Sequence, residues 1–276
     1  MVIYDDNHQG LQPDRLDRWY NIIVETKLLH TFGGFSMQAV TTDPTINGLY
    51  IGYKDINPPH QWYPLALLTW EKSEYCLEIT QSGFKILDRY PGYWMAFPPE
   101  CRTDGVYRGK HLPATIDKRM PSGRNDEREN FKFFNLEYQQ LDGIAFLSKS
   151  GGRSGIDPFD IYPQIAPDAK GIHTFHFSPA ILPESSEFVR QIPIGTQLQY
   201  RREQDGAIAI LKDETAIANF HPFFSHLKFT NIDLEVEQNL DKPYLGMRLL
   251  LKAKVSGKNL YHSDAFKVWN SLVYSQ

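Results

Sequence analysis

Apolar residues recur at period two through much of this chain, and that period breaks in a few defined places. Between residues 48 and 97 the runs GLYIGY, WYPLALLTW, EYCLEIT and YWMAF are rich in aromatic and β-branched residues. Asn-Pro-Pro, Lys-Ser and Pro-Gly punctuate them, which predicts strands joined by turns. Tyr75, Leu77 and Ile79 alternate with Cys76, Glu78 and Thr80, the pattern of a half-buried antiparallel strand. Residues 231–270 alternate again. Ile232, Leu234 and Val236 make one face of a strand, and Met247, Leu249, Leu251, Ala253 and Val255 one face of the next, so a long hairpin is expected.

Helical spacing occurs in two stretches. Asp14 can cap a helix carrying Leu16, Trp19, Ile22, Ile23 and Leu28 on one side, stopped by Gly33-Gly34. Such a face must pack on the body of the protein or on a partner. Residues 131–149 supply Leu136, Leu141, Ile144, Ala145 and Leu147, ended by Gly151-Gly152. The charged, turn-rich stretch 98–130 reads as an exposed connection. Residues 158–227 read as a compact β-region: a strand at HTFHF, a short helix starting at Pro183-Glu184-Ser185-Ser186 with Phe188, Val189 and Ile192 inward, then two further strands.

Composition narrows the function classes. Hydrophobic residues are 41% and aromatic residues 13%, so a core can form and disorder is not expected. A net charge of −4 lacks the basic excess of a chain coated in nucleic acid, although a local basic groove is compatible with it. Cys76 and Cys101 form neither a zinc set nor a disulfide framework and read as reduced thiols. No secretory signal and no apolar run long enough to span a bilayer is visible. A soluble, cytoplasmic protein without membrane insertion is expected.

Most catalytic patterns are missing. Gly151, Gly152 and Arg153 can form a backbone nest for an anion, or simply a helix cap and turn. They match neither nucleotide fingerprint. His173/His176 and His221/His226 have no accompanying Cys pair, so no metal and no cofactor are expected. There is no G-x-S-x-G elbow, and Cys101 falls on an expected exposed loop. These residues point away from an enzyme. What remains is aromatic and basic: Phe175 and Phe177 on one strand, Tyr200-Arg201-Arg202 ending another, then an Asp205-Gly206 turn. Rings that stack on bases and arginines that pair with phosphates are how small β-barrels hold single-stranded nucleic acid. The same rings can instead fill a core.

The order LYIGYKD, WYPLALLTW, SGGR, DPFDIYP, DAKGIHTFHF, LPESS and IPIGTQLQYRREQDGAIAI resembles bacterial, often cyanobacterial, proteins carrying a HIRAN domain behind a front part similar to HipA-type kinases. The likeness covers roughly residues 48–256. HIRAN domains are OB-like barrels that can grip the free 3′ end of single-stranded DNA. The resemblance places Phe175 and His176 on the first strand of that site and Asp205 at the acidic turn that meets the terminal hydroxyl. The family's Asn-Pro turn is replaced here by REQDGAIAI, and the kinase, nuclease and helicase partner domains are absent from this stretch.

The expected fold is mainly β (α+β): an antiparallel sheet region followed by an OB-like or SH3-like HIRAN barrel with a few short helices. The expected organisation is a helical extension at 1–46, a β-rich domain with a helical connection at 47–150, the barrel at 151–230 and a C-terminal hairpin extension at 231–276. Two functions follow. One is a non-catalytic module binding single-stranded DNA ends, or stalled or damaged DNA, through Phe175, His176, Tyr200, Arg201 and Asp205. The other is a degenerate barrel serving as a protein-interaction scaffold or regulatory subunit, with the N-terminal helix or β edges meeting the partner.

Overall fold

A computed structural model describes residues 45–55, 61–71, 74–120, 128–136, 143–152, 158–204, 207–244, 246–257, 259–261 and 264–267. The helix expected over 14–28 lies outside the described residues, as do Arg153 and Asp205. Among the described residues no helix is long and apolar enough to cross a membrane.

The fold is mainly β, with two antiparallel sheets and a few short helices. The five-stranded sheet runs β4 (Val106–Gly109), β3 (Glu74–Ile79), β2 (Trp62–Glu71), β1 (Ile46–Lys54) and β5 (Phe159–Ile165). The seven-stranded sheet curls into a half-barrel. Its order is β6 (Ile172–Phe177), β12 (Met247–Ser256), β11 (Asn231–Tyr244), β8 (Gln197–Arg202), β9 (Ile208–Lys212), β10 (Thr215–Asn219) and β7 (Ala180–Ile181). The helices are α1 (Gln81–Arg89), α2 (Pro99–Thr103), α3 (Ala114–Asp117), α4 (Arg128–Phe133), α5 (Gly143–Ser150) and α6 (Ser186–Arg190).

Alternation puts the expected residues inside. Tyr75, Leu77 and Ile79 are buried on β3, and Ile232, Leu234 and Val236 face the core from β11. The β11–β12 hairpin forms in the register that pairs Leu234 with Ala253 and Val236 with Leu251. It is not peripheral. It sits between β6 and β8, so β6 joins the β8–β9–β10–β7 strands of 171–227 only through it. Likewise β5 pairs with β1, so the first sheet crosses position 150.

Three local expectations change. Residues 81–97 are not strands. Thr80 caps α1 by accepting from the Gly83 amide at 2.8 Å, and Ile86 and Leu87 bury its inner face. Pro91 then opens a 3-10 turn through Ala96, because proline sets φ for a turn and removes a ladder donor. Cys101 is not on an exposed loop but fully buried on α2. Phe188 is 43% exposed, while Val189 and Ile192 are buried. A five-residue helix presents less than two turns, so only one stripe can face inward.

One core joins the two sheets. Trp62 lies over Gly52, where an added Cβ would come within 2.0 Å of the indole. The same indole meets Phe223 edge-on at 5.2 Å between centroids. The C-terminal segment closes the seam. Phe266 packs 4.7 Å from Tyr50 and 5.9 Å from Phe223. The Tyr261 hydroxyl donates to the Pro163 carbonyl at 3.1 Å and accepts from the Ile165 amide at 2.9 Å. It thereby satisfies part of the outer edge of β5, which would otherwise expose unpaired backbone groups.

Candidate functional site

Of the five residues proposed for a DNA end, the four that are described, Phe175, His176, Tyr200 and Arg201, do not share one surface. On β6, Phe175 is 1% exposed and packs against Phe223 and Phe224 at 6.2 and 5.8 Å. It is a core residue and offers no face to a base. His176 points the opposite way, with Nε2 at 3.3 Å from Glu237 Oε2. Burial acts to raise the Glu237 carboxyl. The hydrogen bond and charge of His176, with Lys149 and Asn135, outweigh it and hold the group below the usual carboxylate range.

Tyr200 is half-buried on β8. Arg201 projects to the other side and binds Glu203 Oε1 through Nε at 2.9 Å and Nη2 at 2.8 Å. Strands β12 and β11 separate β6 from β8, which puts three strand spacings, roughly 14 Å, between them. Successive side chains on a strand face opposite sides, so Phe175 with His176, or Tyr200 with Arg201, cannot build one patch. Asp205 lies outside the described residues.

The Gly151-Gly152 pair is a helix cap rather than an anion nest. Both residues adopt positive φ, 72° and 53°. The Gly151 amide closes on the Leu147 carbonyl at 3.0 Å, and the Gly152 amide donates to Ser150 Oγ at 3.2 Å. Their donors are therefore committed within the chain. The Gly152 carbonyl accepts from Arg119, which also donates to the Phe159 carbonyl at 3.1 Å. An Arg just past the end of α3 thus ties this cap to β5.

The most enzyme-like pair has a structural explanation. His221 Nε2 lies 2.9 Å from Asp160 Oδ2, and its Nδ1 accepts from the Phe223 amide at 3.2 Å. The tautomer that fits donates from Nε2 to the carboxylate, which leaves no ring nitrogen to act as a base. His221 is 6% exposed and caps the turn Pro222–His226. His226 instead meets the Trp62 carbonyl, so the two histidines serve different partners. Burial pushes His226 below its ordinary value, against the opposing effect of that carbonyl. Among the described residues no group of three or more His, Cys, Asp or Glu side chains is arranged to hold a metal. Burial pushes the Cys101 thiol up to about 12, which keeps it a poor nucleophile.

What the fold does open is a break in the half-barrel. β8 pairs with β9 from Gln199 to Arg202, but with β11 only at Gln197↔Glu235 and Leu198↔Leu234. The Val236 amide bonds the Thr196 carbonyl at 3.0 Å while the Val236 carbonyl takes the Gly195 amide at 2.7 Å, so the ladder opens irregularly and its regular hydrogen-bonded pair is 198/234. Such pairs recur every second residue, and the next would be Tyr200/Ile232. That pairing is not made. The strands part there around an open cleft of about 370 Å³ lined by Leu198, Gln199, Tyr200, Leu211 and Ile232. Two residues beyond Tyr200, the Arg202 guanidinium lies 5.1 Å from the Phe229 ring centroid.

The lining residues sit in the alternating runs QLQYRR, AIAIL and NIDLEV, each of which reads as a strand. Where two strands separate is not written in any of these runs. Comparison with family models, with curated proteins and with solved structures finds no match for this chain.

Proposed function

We propose that this chain is a non-catalytic interaction module that holds a protein partner at the cleft between β8 and β11. The observation that carries this reading is the interrupted ladder. It turns main-chain donors and acceptors toward one gap, beside apolar side chains that face the barrel interior, which suits a polypeptide better than a phosphate backbone. The charge pattern supports it. Arg201 is paired with Glu203, His176 lies against Glu237, and Lys252 and Lys254 stand directly opposite Glu235 and Asp233 across the ladder. A phosphate arriving at any of these basic side chains competes with a carboxylate already present.

A second reading, a HIRAN-like module binding single-stranded DNA, keeps one supporting observation: Tyr200, Arg202 and Phe229 bring aromatic and guanidinium groups to the cleft rim. Fluorescence anisotropy with 3′-hydroxyl and 3′-phosphate oligonucleotides separates the two. The interaction-module reading expects weak binding that does not distinguish the two ends. Tight binding that prefers the 3′-hydroxyl and weakens steeply between about 50 and 200 mM salt would replace it with the DNA reading.

A further inference from the structure

The β8–β11 cleft has a chemistry specific enough to name its occupant, on the footing that the module binds protein. We infer that an extended segment of a partner, apolar at alternate positions and flanked by acidic residues, enters the cleft and continues the ladder where β8 and β11 part. Three observations lead there independently.

The first is the backbone. On β8 the odd-numbered residues serve β9: Gln199 and Arg201 pair with Leu211 and Ala209, and the Glu203 amide bonds the Ala207 carbonyl at 2.8 Å. The even-numbered residues face β11, as Thr196 and Leu198 do. Tyr200 therefore presents its amide and carbonyl to the cleft, and Ile232 presents its own from β11. These are the groups with which a strand is recognised. A free edge at the middle of a sheet differs from an outer edge. Its two sides are fixed by β9 and β12, which holds the donors in position before the partner arrives.

The second is the wall. Leu198, Tyr200 and Ile232 share the face toward the barrel interior, while Leu211, opposite Gln199, lines the gap from the other face. A β-branched or leucine side chain of an extended segment fits this setting, and its two neighbours in sequence point away. The alternation demanded of the partner follows from the alternation of the host.

The third is the rim. Arg202 is exposed over Phe229, and Lys228 is exposed beside it in sequence. Among the described residues no carboxylate is within salt-bridge distance of Arg202. A guanidinium held over a ring keeps its planar edge available for a carboxylate, so the flank of the segment is acidic.

The test is a phage-displayed library of random linear peptides panned on the full chain, with Arg202→Glu and Tyr200→Lys variants panned in parallel. Both side chains are at least partly exposed, and circular dichroism and urea midpoints establish that the variants fold. The expected outcome is enrichment of peptides with apolar residues at alternate positions and Asp or Glu beside them. The strongest peptide, synthesised, should lose roughly tenfold in affinity when the backbone nitrogens that pair with the cleft are methylated, since two hydrogen bonds are removed. It should lose a similar factor on Arg202→Glu. Enrichment of peptides whose affinity is unchanged by methylation and by both variants would overturn the cleft assignment while leaving a protein-binding module. No enrichment would also overturn the cleft assignment. Displacement of the peptide by single-stranded DNA, with the oligonucleotide binding tighter than the peptide, would overturn the protein-binding reading beneath it.

Discussion

Removing one oxygen from Tyr261 should loosen the seam between the two sheets. In Tyr261→Phe the ring keeps its contacts with Phe266 at 5.5 Å and Tyr50 at 5.7 Å, so packing is conserved. What is lost is the bond to the Pro163 carbonyl and the bond from the Ile165 amide. β5 is the last strand of its sheet, and β1 occupies its other side, so no neighbouring strand can take over that amide. A net hydrogen bond is worth about 1 kcal/mol, and leaving a buried donor unsatisfied costs about 1–3 kcal/mol. The ring keeps some exposure, which lets water reach part of the site, so a total loss of about 1–3 kcal/mol is expected. Urea unfolding followed by tryptophan fluorescence measures it, with an unchanged slope and a lower midpoint. Tyr107→Phe is the control. Its hydroxyl donates to the His111 carbonyl at 2.9 Å in an exposed setting and should cost less than about 0.5 kcal/mol. A Tyr261→Phe loss no larger than that control would refute the reasoning.

Further outcomes follow from the same geometry. Gly52→Ala places a Cβ within 2.0 Å of the Trp62 indole and should destabilise by at least about 1–3 kcal/mol in the same urea assay, because the ring is rigid and enclosed. Tyr50 and Tyr261 are both raised above the ordinary phenol value, chiefly by burial. They, and the Cys101 thiol that burial lifts to about 12, bind their protons more tightly folded than unfolded, so stability should begin to fall above about pH 8.5 through the thiol and fall further above about pH 10 through the phenols. His173 and His226 are lowered by burial, so the unfolded state takes up protons first. Stability should decline as pH drops below about 6.5, and the low Glu237 carboxyl adds a further loss at more acid pH. With a thiol-specific chromogenic reagent, Cys76 should react slowly in the native state and Cys101 only after denaturation, since Cys101 is fully buried.

The strands were legible because period-two alternation reflects a one-sided core, as in Tyr75-Leu77-Ile79 and Ile232-Leu234-Val236. The α1 helix was not. Its inward residues are few, and its cap, Thr80, also completes the β3 pattern, so one residue served both readings. The site was legible only as strands. The aromatic and basic residues Phe175, His176, Tyr200 and Arg201 read as one cluster in sequence, yet neighbours on a strand face opposite sides. Phe175 is consumed by the core it shares with Phe223 and Phe224, which lie about 50 residues away in sequence. The seven-stranded order could not be read locally either. β6 pairs with β12 across a separation of some 75 residues, and nothing in HTFHF names its partner. The cleft depends on the same kind of information, since it lies where one ladder ends and another continues.

Backbone amide hydrogen exchange of the free, full chain, read residue by residue by NMR, tests the open cleft most directly. Leu198 and Leu234 lie within the β8–β11 ladder and should exchange slowly. Tyr200 and Ile232, the next pair in register, should exchange far faster, at rates that slow on binding an extended peptide. Slow exchange at Tyr200 and Ile232 in the free protein, matching Leu198 and Leu234, would mean that the ladder is closed and that no such site exists.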